Sequence, residues 1–179
     1  MEKYETFWRR FFAGLIDGVI FVPIGLIDYL IMDSENTLLL SIGAVFSYSS
    51  FYIYSVYFHW TTGQTFGKSW MDVRVIDKSE EKLLTLKQSL MRDSIHITLE
   101  IVGLIVLISR IIQLGHYPLD DSILRNYLNW LTTLLFLLEV GTMLTNPRRR
   151  AIHDILAGSV VVRDEFWQDS QKYASHQDV

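Results

Sequence analysis

Four apolar runs, Phe11 to Ile31, Leu38 to Phe58, Leu90 to Leu114 and Leu124 to Leu144, dominate the chain. Each is close to the roughly 20 residues that a helix needs to cross the hydrocarbon core of a bilayer. Half of the residues are hydrophobic and they cluster in blocks instead of alternating with charge, which places the chain in a membrane and leaves room for one domain. The first run is too long for a signal-peptide core, is interrupted by Asp17 and has no small-residue cleavage site after it, so it is expected to stay in the protein. The expected fold is an all-α membrane protein with four transmembrane helices, a short cytoplasmic amphipathic helix and a small two-stranded β ribbon. Its membrane domain covers 1–163 and its cytoplasmic tail 164–179.

The Lys and Arg are distributed unevenly about these runs. Lys3, Arg9 and Arg10 precede the first; Lys68, Arg74, Lys78, Lys82, Lys87 and Arg92 fall between the second and third; Arg148, Arg149, Arg150, Arg163 and Lys172 follow the fourth. Only Arg110 and Arg125 flank the other side, beside Asp33, Glu35, Asp120 and Asp121. By the positive-inside rule both termini are cytoplasmic, in a multi-pass protein of the cell membrane. The formal charge of −4 carries little about partners, and no nucleic-acid partner is expected. Without Cys, disulfides and thiolate metal sites are excluded. No cofactor or metal is expected either.

Inside the apolar runs stand ionisable residues, which at membrane depth face protein or water and default to a functional reading. In the first run Arg10, Asp17 and Asp28 share one helix face, since steps of seven and eleven each leave only about 20°. Ala13, Gly14 and Gly18 flank that stripe and could admit a second helix close to Asp17. Pro23 and Gly25 suggest a kink. The second run has no formal charge; Gly43, Ser47, Ser50 and Tyr54 form a hydroxyl-bearing face, a wet path or packing glue, while His59 and Trp60 read as an interfacial belt. The third helix opens on the capping box Thr85-Leu86-Lys87-Gln88. It carries Arg92, His96 and Glu100 at four-residue steps, with His96 and Glu100 suited to proton relay, cation coordination or a structural pair. Glu139 is the acid of the fourth. His116, Asp120 and Asp121 could hold a divalent ion, but Asp121 or Ser122 more simply caps the fourth helix.

The connections are also readable. Gly63-Gln64-Thr65-Phe66-Gly67-Lys68 superficially matches a phosphate-binding loop, but only three residues separate its glycines and a membrane helix precedes it. Val73 to Asp77 and Ser159 to Arg163 are the two β-patterned stretches, and a lone strand would leave its ladder groups unpaired, so they are expected to pair. Asn146-Pro147 and Gly158 suggest a short helix from Pro147 to Ala157. Arg148, Arg149 and Arg150 lie at the level of anionic lipid headgroups. Beyond Arg163 a surface helix or a disordered end is expected.

Three blocks together resemble the RDD family of small, mostly bacterial, integral membrane proteins: Arg10-Phe11-Phe12-Ala13-Gly14-Leu15-Ile16-Asp17; Gly63-Gln64-Thr65-Phe66-Gly67-Lys68 running into Val73-Arg74-Val75-Ile76-Asp77; and Arg150-Ala151-Ile152-His153-Asp154-Ile155-Leu156-Ala157-Gly158-Ser159-Val160-Val161-Val162. The resemblance implies that the family's Arg and two Asp fall on Arg10, Asp17 and either Asp154 or Asp28, with no enzyme chemistry and a role sometimes suggested to be transport. Two functions fit. One is a transporter or proton- or cation-translocating subunit using Asp17, Asp28, His96, Glu100 and Glu139, and four helices would then need to oligomerise. The other is a non-transporting scaffold or regulator in which Arg10, Asp17, His153 and Asp154 form a structural network while the cytoplasmic ribbon and tail meet a partner protein. In either, Arg10 is expected to bridge Asp17 and Asp154 with its planar fork.

Overall fold

A computed structural model describes residues 2–118 and 122–177. After a 3₁₀ turn at Glu2–Tyr4, the chain forms α1 (Phe7–Ile31), α2 (Thr37–Thr61), α3 (Phe66–Trp70), β1 (Val73–Asp77), α4 (Leu86–Leu114), α5 (Ser122–Thr145), α6 (Ile152–Ala157), β2 (Ser159–Arg163) and α7 (Asp164–Gln177). Among the described residues three helices are long and apolar enough to cross a membrane: the segment Glu2–Ile31 containing α1, then α2 and α4. In α5 the apolar stretch found among the described residues is the shorter Asn129–Thr145. α2 packs between α1 and α4, whereas α5 leans chiefly on α6. The outward faces carry Val19, Leu30, Ile53 and Ile105 at more than 60% exposure, a surface suited to lipid and not to water.

The two β stretches pair as expected, antiparallel and in the register Val73↔Arg163 to Asp77↔Ser159. Alternation sends Val73, Val75 and Val161 to one face with Leu84, and Ile76, Val160 and Val162 to the other beneath Tyr4, Leu83 and Trp167. This ribbon is the best-buried apolar unit of the molecule. α7 holds on through Trp167 and through Arg74 Nε, which donates to Asp164 at 2.5 Å. Around α4 the capping box forms as read, with Thr85 Oγ1 accepting from Gln88 N and the Gln88 side chain accepting from Thr85 N. Such a cap is worth about 1 kcal/mol.

Several local expectations are corrected. The short helix starts at Ile152, not Pro147, because Asn146 folds back as a turn, accepting Arg148 N on its side chain, and Arg149 takes a positive φ of 50°. Asp154 then caps α6 by accepting Ala151 N. Of Ala13, Gly14 and Gly18, which were expected to admit a second helix beside Asp17, Ala13 does so, meeting Gly67 of α3, whereas Gly14 and Gly18 face open space. The combination of His116 with Asp120 and Asp121 lies partly outside the described residues, as does the cap of α5.

Candidate functional site

At the end of the bundle that bears the ribbon stand two clusters of buried polar residues. The first surrounds Asp17, which is 2% exposed. Its Oδ1 accepts from the Tyr54 hydroxyl and from Gly67 N, both at 2.8 Å, and its Oδ2 from the Thr65 hydroxyl at 2.6 Å. The loop that supplies two of these donors is shaped by its own sequence. Gly63 has a φ of 73° and accepts Val75 N, Gln64 ties Val73 O to Arg74, and Thr65 caps α3. Gly67 lies so close to α1 that a Cβ there would stand 2.1 Å from Ala13 O. Lys68 follows, half-buried. Burial pushes its amine down to about 8, with Arg92 assisting and Asp17 and Asp93 opposing.

The second cluster is centred on Asp154, which is fully buried. Its Oδ2 takes Arg10 Nη2 at 2.8 Å, and its Oδ1 lies 3.1 Å from Arg92 Nη2 and 3.3 Å from the Ser159 hydroxyl. Burial alone would raise this carboxyl, but the two guanidiniums override it and hold it well below the usual carboxylate range. His153 joins them. Its Nε2 lies 3.2 Å from Arg10 Nη2 and 3.0 Å from Arg92 Nη2, both of them obligate donors, so it must accept, and the proton sits on Nδ1, which meets Glu139 at 2.6 Å. Burial moves the imidazole below its ordinary value; Arg92 and Arg10 add to that, against the pull of Asp154 and Glu139.

The expected three-way bridge is therefore corrected: Arg10 joins α1 to α6 through Asp154, while Asp17 is satisfied by Tyr54, Thr65 and Gly67. Arg10 pairs with Asp154 and not with Asp28, which lies near the far end beside Gly43. His96 and Glu100 share a stripe without a hydrogen bond between them among the described residues, and Glu100 instead meets the Tyr52 hydroxyl at 3.5 Å. The hydroxyl face of α2 divides, Tyr54 turning to α1 while Ser50 bonds back to Phe46 O. Arg148, Arg149 and Arg150 each donate to a backbone carbonyl, of Lys78, Leu144 and Ser159 respectively.

Sequence reasoning missed the continuation of the second cluster into the membrane. His59, read as part of a belt, is 3% exposed. Its Nε2 lies 3.3 Å from Arg92 Nη1 and must accept, so Nδ1–H donates to Ser55 Oγ at 3.2 Å, and the Ser55 hydroxyl donates to Asp93 at 2.6 Å. Tyr48, Tyr52, Ser55 and His59 follow at steps of four, three and four, a single helix face turned to α4. That periodicity was visible, but nothing in it said which neighbour it met.

Membrane-length helices pinned at one end by two arginines that share a carboxylate define an integral membrane protein whose fixed point is a buried ion cluster. The RDD family matches over residues 4–158, and the chain belongs to that family. No curated protein and no solved structure matches it.

Proposed function

We propose that the protein is a proton-translocating membrane subunit working along the α2/α4 interface. The observation that supports this reading is the ladder of polar groups running from Glu100 and Tyr52 through Asp93, Ser55 and His59 to Arg92, His153 and Glu139. The step from Tyr52 to Ser55 is three residues, about 4.5 Å along the helix axis, which a water can bridge. Two guanidiniums at the ribbon end repel a bare cation, so protons suit the ladder better than metal ions. Arg92 stands between the two imidazoles and would release one for a proton to pass, which makes it the gate. Reconstituted in liposomes under an imposed membrane potential, the protein is expected to acidify a dye-loaded lumen, with Glu100→Gln and Asp93→Asn slowing this at least tenfold. Wild-type flux no faster than that of empty liposomes would refute the reading.

That outcome would favour the alternative, a scaffold, for which the full satisfaction of Asp17 and Asp154 speaks. In either case we place α5 as a fourth span and both termini in the cytoplasm of a plasma-membrane protein, with exposed Arg148 near anionic headgroups and a homo-oligomer as the working form. Reporter fusions after Val179 should report the inner side. Impermeant labelling of a residue in the 62–84 loop from outside would contradict this topology.

A further inference from the structure

Where β1 begins and β2 ends, beside the first turn of α1, a cleft of about 290 Å³ is lined by Arg9, Asp72, Arg163, Asp164, Glu165 and Gln168. Every lining residue is charged or polar. Asp164 is already engaged, accepting from Arg74 Nε at 2.5 Å and from Gln168 Nε2 at 2.7 Å. Two cations and two anions remain to face an occupant. Arg9 Nη1 donates to Met71 O at 2.9 Å and lies 3.3 Å from Asp72 Oδ2, and Arg163 Nη2 lies 3.0 Å from Glu165 Oε1. The side chains of Asp72 and Glu165 are 75% and 57% exposed. Ion pairs so open to solvent contribute little, so a ligand's charges can take their place. Among the described residues each of the two guanidiniums uses one nitrogen. The others remain for a phosphate, which arginine meets with parallel donors.

The cleft stands at the edge of the membrane. Arg9 lies in the first turn of the spanning α1, directly after Trp8, and Trp70 precedes the Met71 whose carbonyl Arg9 holds. Trp8 and Trp70 are 66% and 70% exposed, and Phe12 and Phe66 beside them are also exposed. Exposed tryptophans at the end of an apolar helix mark the headgroup level of a bilayer.

We propose that this cleft binds the headgroup of a phospholipid bearing a primary ammonium, phosphatidylethanolamine, its phosphate taken by Arg9 and Arg163 and its ammonium by Asp72 and Glu165. The acyl chains then pass the aromatic residues into the leaflet. Because the facing charges balance, a purely anionic headgroup gains from the arginines and loses to the carboxylates. A choline headgroup carries both charges, but its quaternary nitrogen has no N–H to donate, whereas a primary ammonium has three.

The test is native mass spectrometry of the full chain in detergent, titrated with dioleoyl lipids that differ only in headgroup. One saturable phosphatidylethanolamine adduct is expected, at least tenfold tighter than that of phosphatidylcholine or phosphatidylglycerol. Arg163→Gln should weaken it at least tenfold. Glu165→Lys, at an exposed position, should turn the preference toward phosphatidylglycerol, a gain that misfolding cannot produce. Glu81→Gln, exposed and outside the cleft, should bind like wild type. Equal binding of the three lipids overturns the proposal, as does a Glu165→Lys chain that still prefers phosphatidylethanolamine. Displacement of the lipid by an equal concentration of glycerophosphoethanolamine, the same headgroup without acyl chains, would make this a site for soluble ligands and overturn the lipid assignment. Binding is read without a gradient, so it stands or falls independently of proton flux along the ladder.

Discussion

Asp154→Ala will be the most destabilising single substitution in the protein, costing about 3–5 kcal/mol in detergent, because it strands two buried guanidiniums that now share one carboxylate. Thermal unfolding followed by circular dichroism reads it directly. Arg10→Lys should also be poorly tolerated, since Arg10 reaches Asp154, His153 and Arg149 O at once and an ammonium cannot reproduce that fork. The double mutant should cost less than the sum of the two singles, because either alone breaks the same network. Asp17→Asn should add to both, as Asp17 and Asp154 share no hydrogen-bond partner. The acid response has a definite sign. Asp154 is held below its unfolded value of about 3.9, so its contribution is complete above that pH and is lost as pH falls beneath it. Loss of this contribution on raising the pH would contradict the assignment.

Gly67→Ala should be nearly as damaging, for a steric reason. The new methyl would stand 2.1 Å from the carbonyl oxygen of Ala13 and 3.0 Å from the Asp17 carboxyl carbon. The first is helix backbone and cannot step aside, so α3 must lift away from α1, and with it the Gly67 N–H that Asp17 accepts. We expect about 3 kcal/mol or outright failure to fold, at the upper end of overpacking costs. Gly14→Ala and Gly18→Ala, whose methyls would meet nothing within 4 Å, should unfold within a few degrees of wild type. Equal losses at Gly67 and Gly14 would mean that the loop does not dock on α1 in this way.

These clusters mark where sequence stops being readable. The ribbon was legible because its alternation and its need for a partner are both local properties, and only Val73–Asp77 and Ser159–Arg163 met them. The link from Arg10 to Asp154 was legible because the family resemblance singled out these two residues and both lie at one boundary of the membrane. Arg92 was not, because in a sequence it counts as one more basic residue on the inner side, and burial becomes apparent only once α6 presents Asp154 to it. Asp17 misled in the opposite sense. Helix periodicity placed it on the face of Arg10, but a face does not name its neighbour, and two of its partners come from the loop after α2. Gly67 was the available signal, a residue without a side chain next to the loop's capping Thr65.

The register of the ribbon also sets an order of events during synthesis. Asp77 and its partner Ser159 are 82 residues apart, and both α4 and α5 lie between them. At ribosomal speeds of about 5–20 residues per second, β1 waits roughly 4 to 16 seconds for its mate. Throughout that interval Val73, Val75 and Ile76 lack their cross-strand cover, and Arg10 sits at its helix end with no carboxylate to receive it. The segment from Asp154 to Arg163 closes both vacancies together, so the nascent chain passes from a loosely held set of helices to a sealed one in a single late step. A ribosome stalled before that segment emerges would hold a protein already in the membrane and still open to chaperones and proteases at its ribbon end.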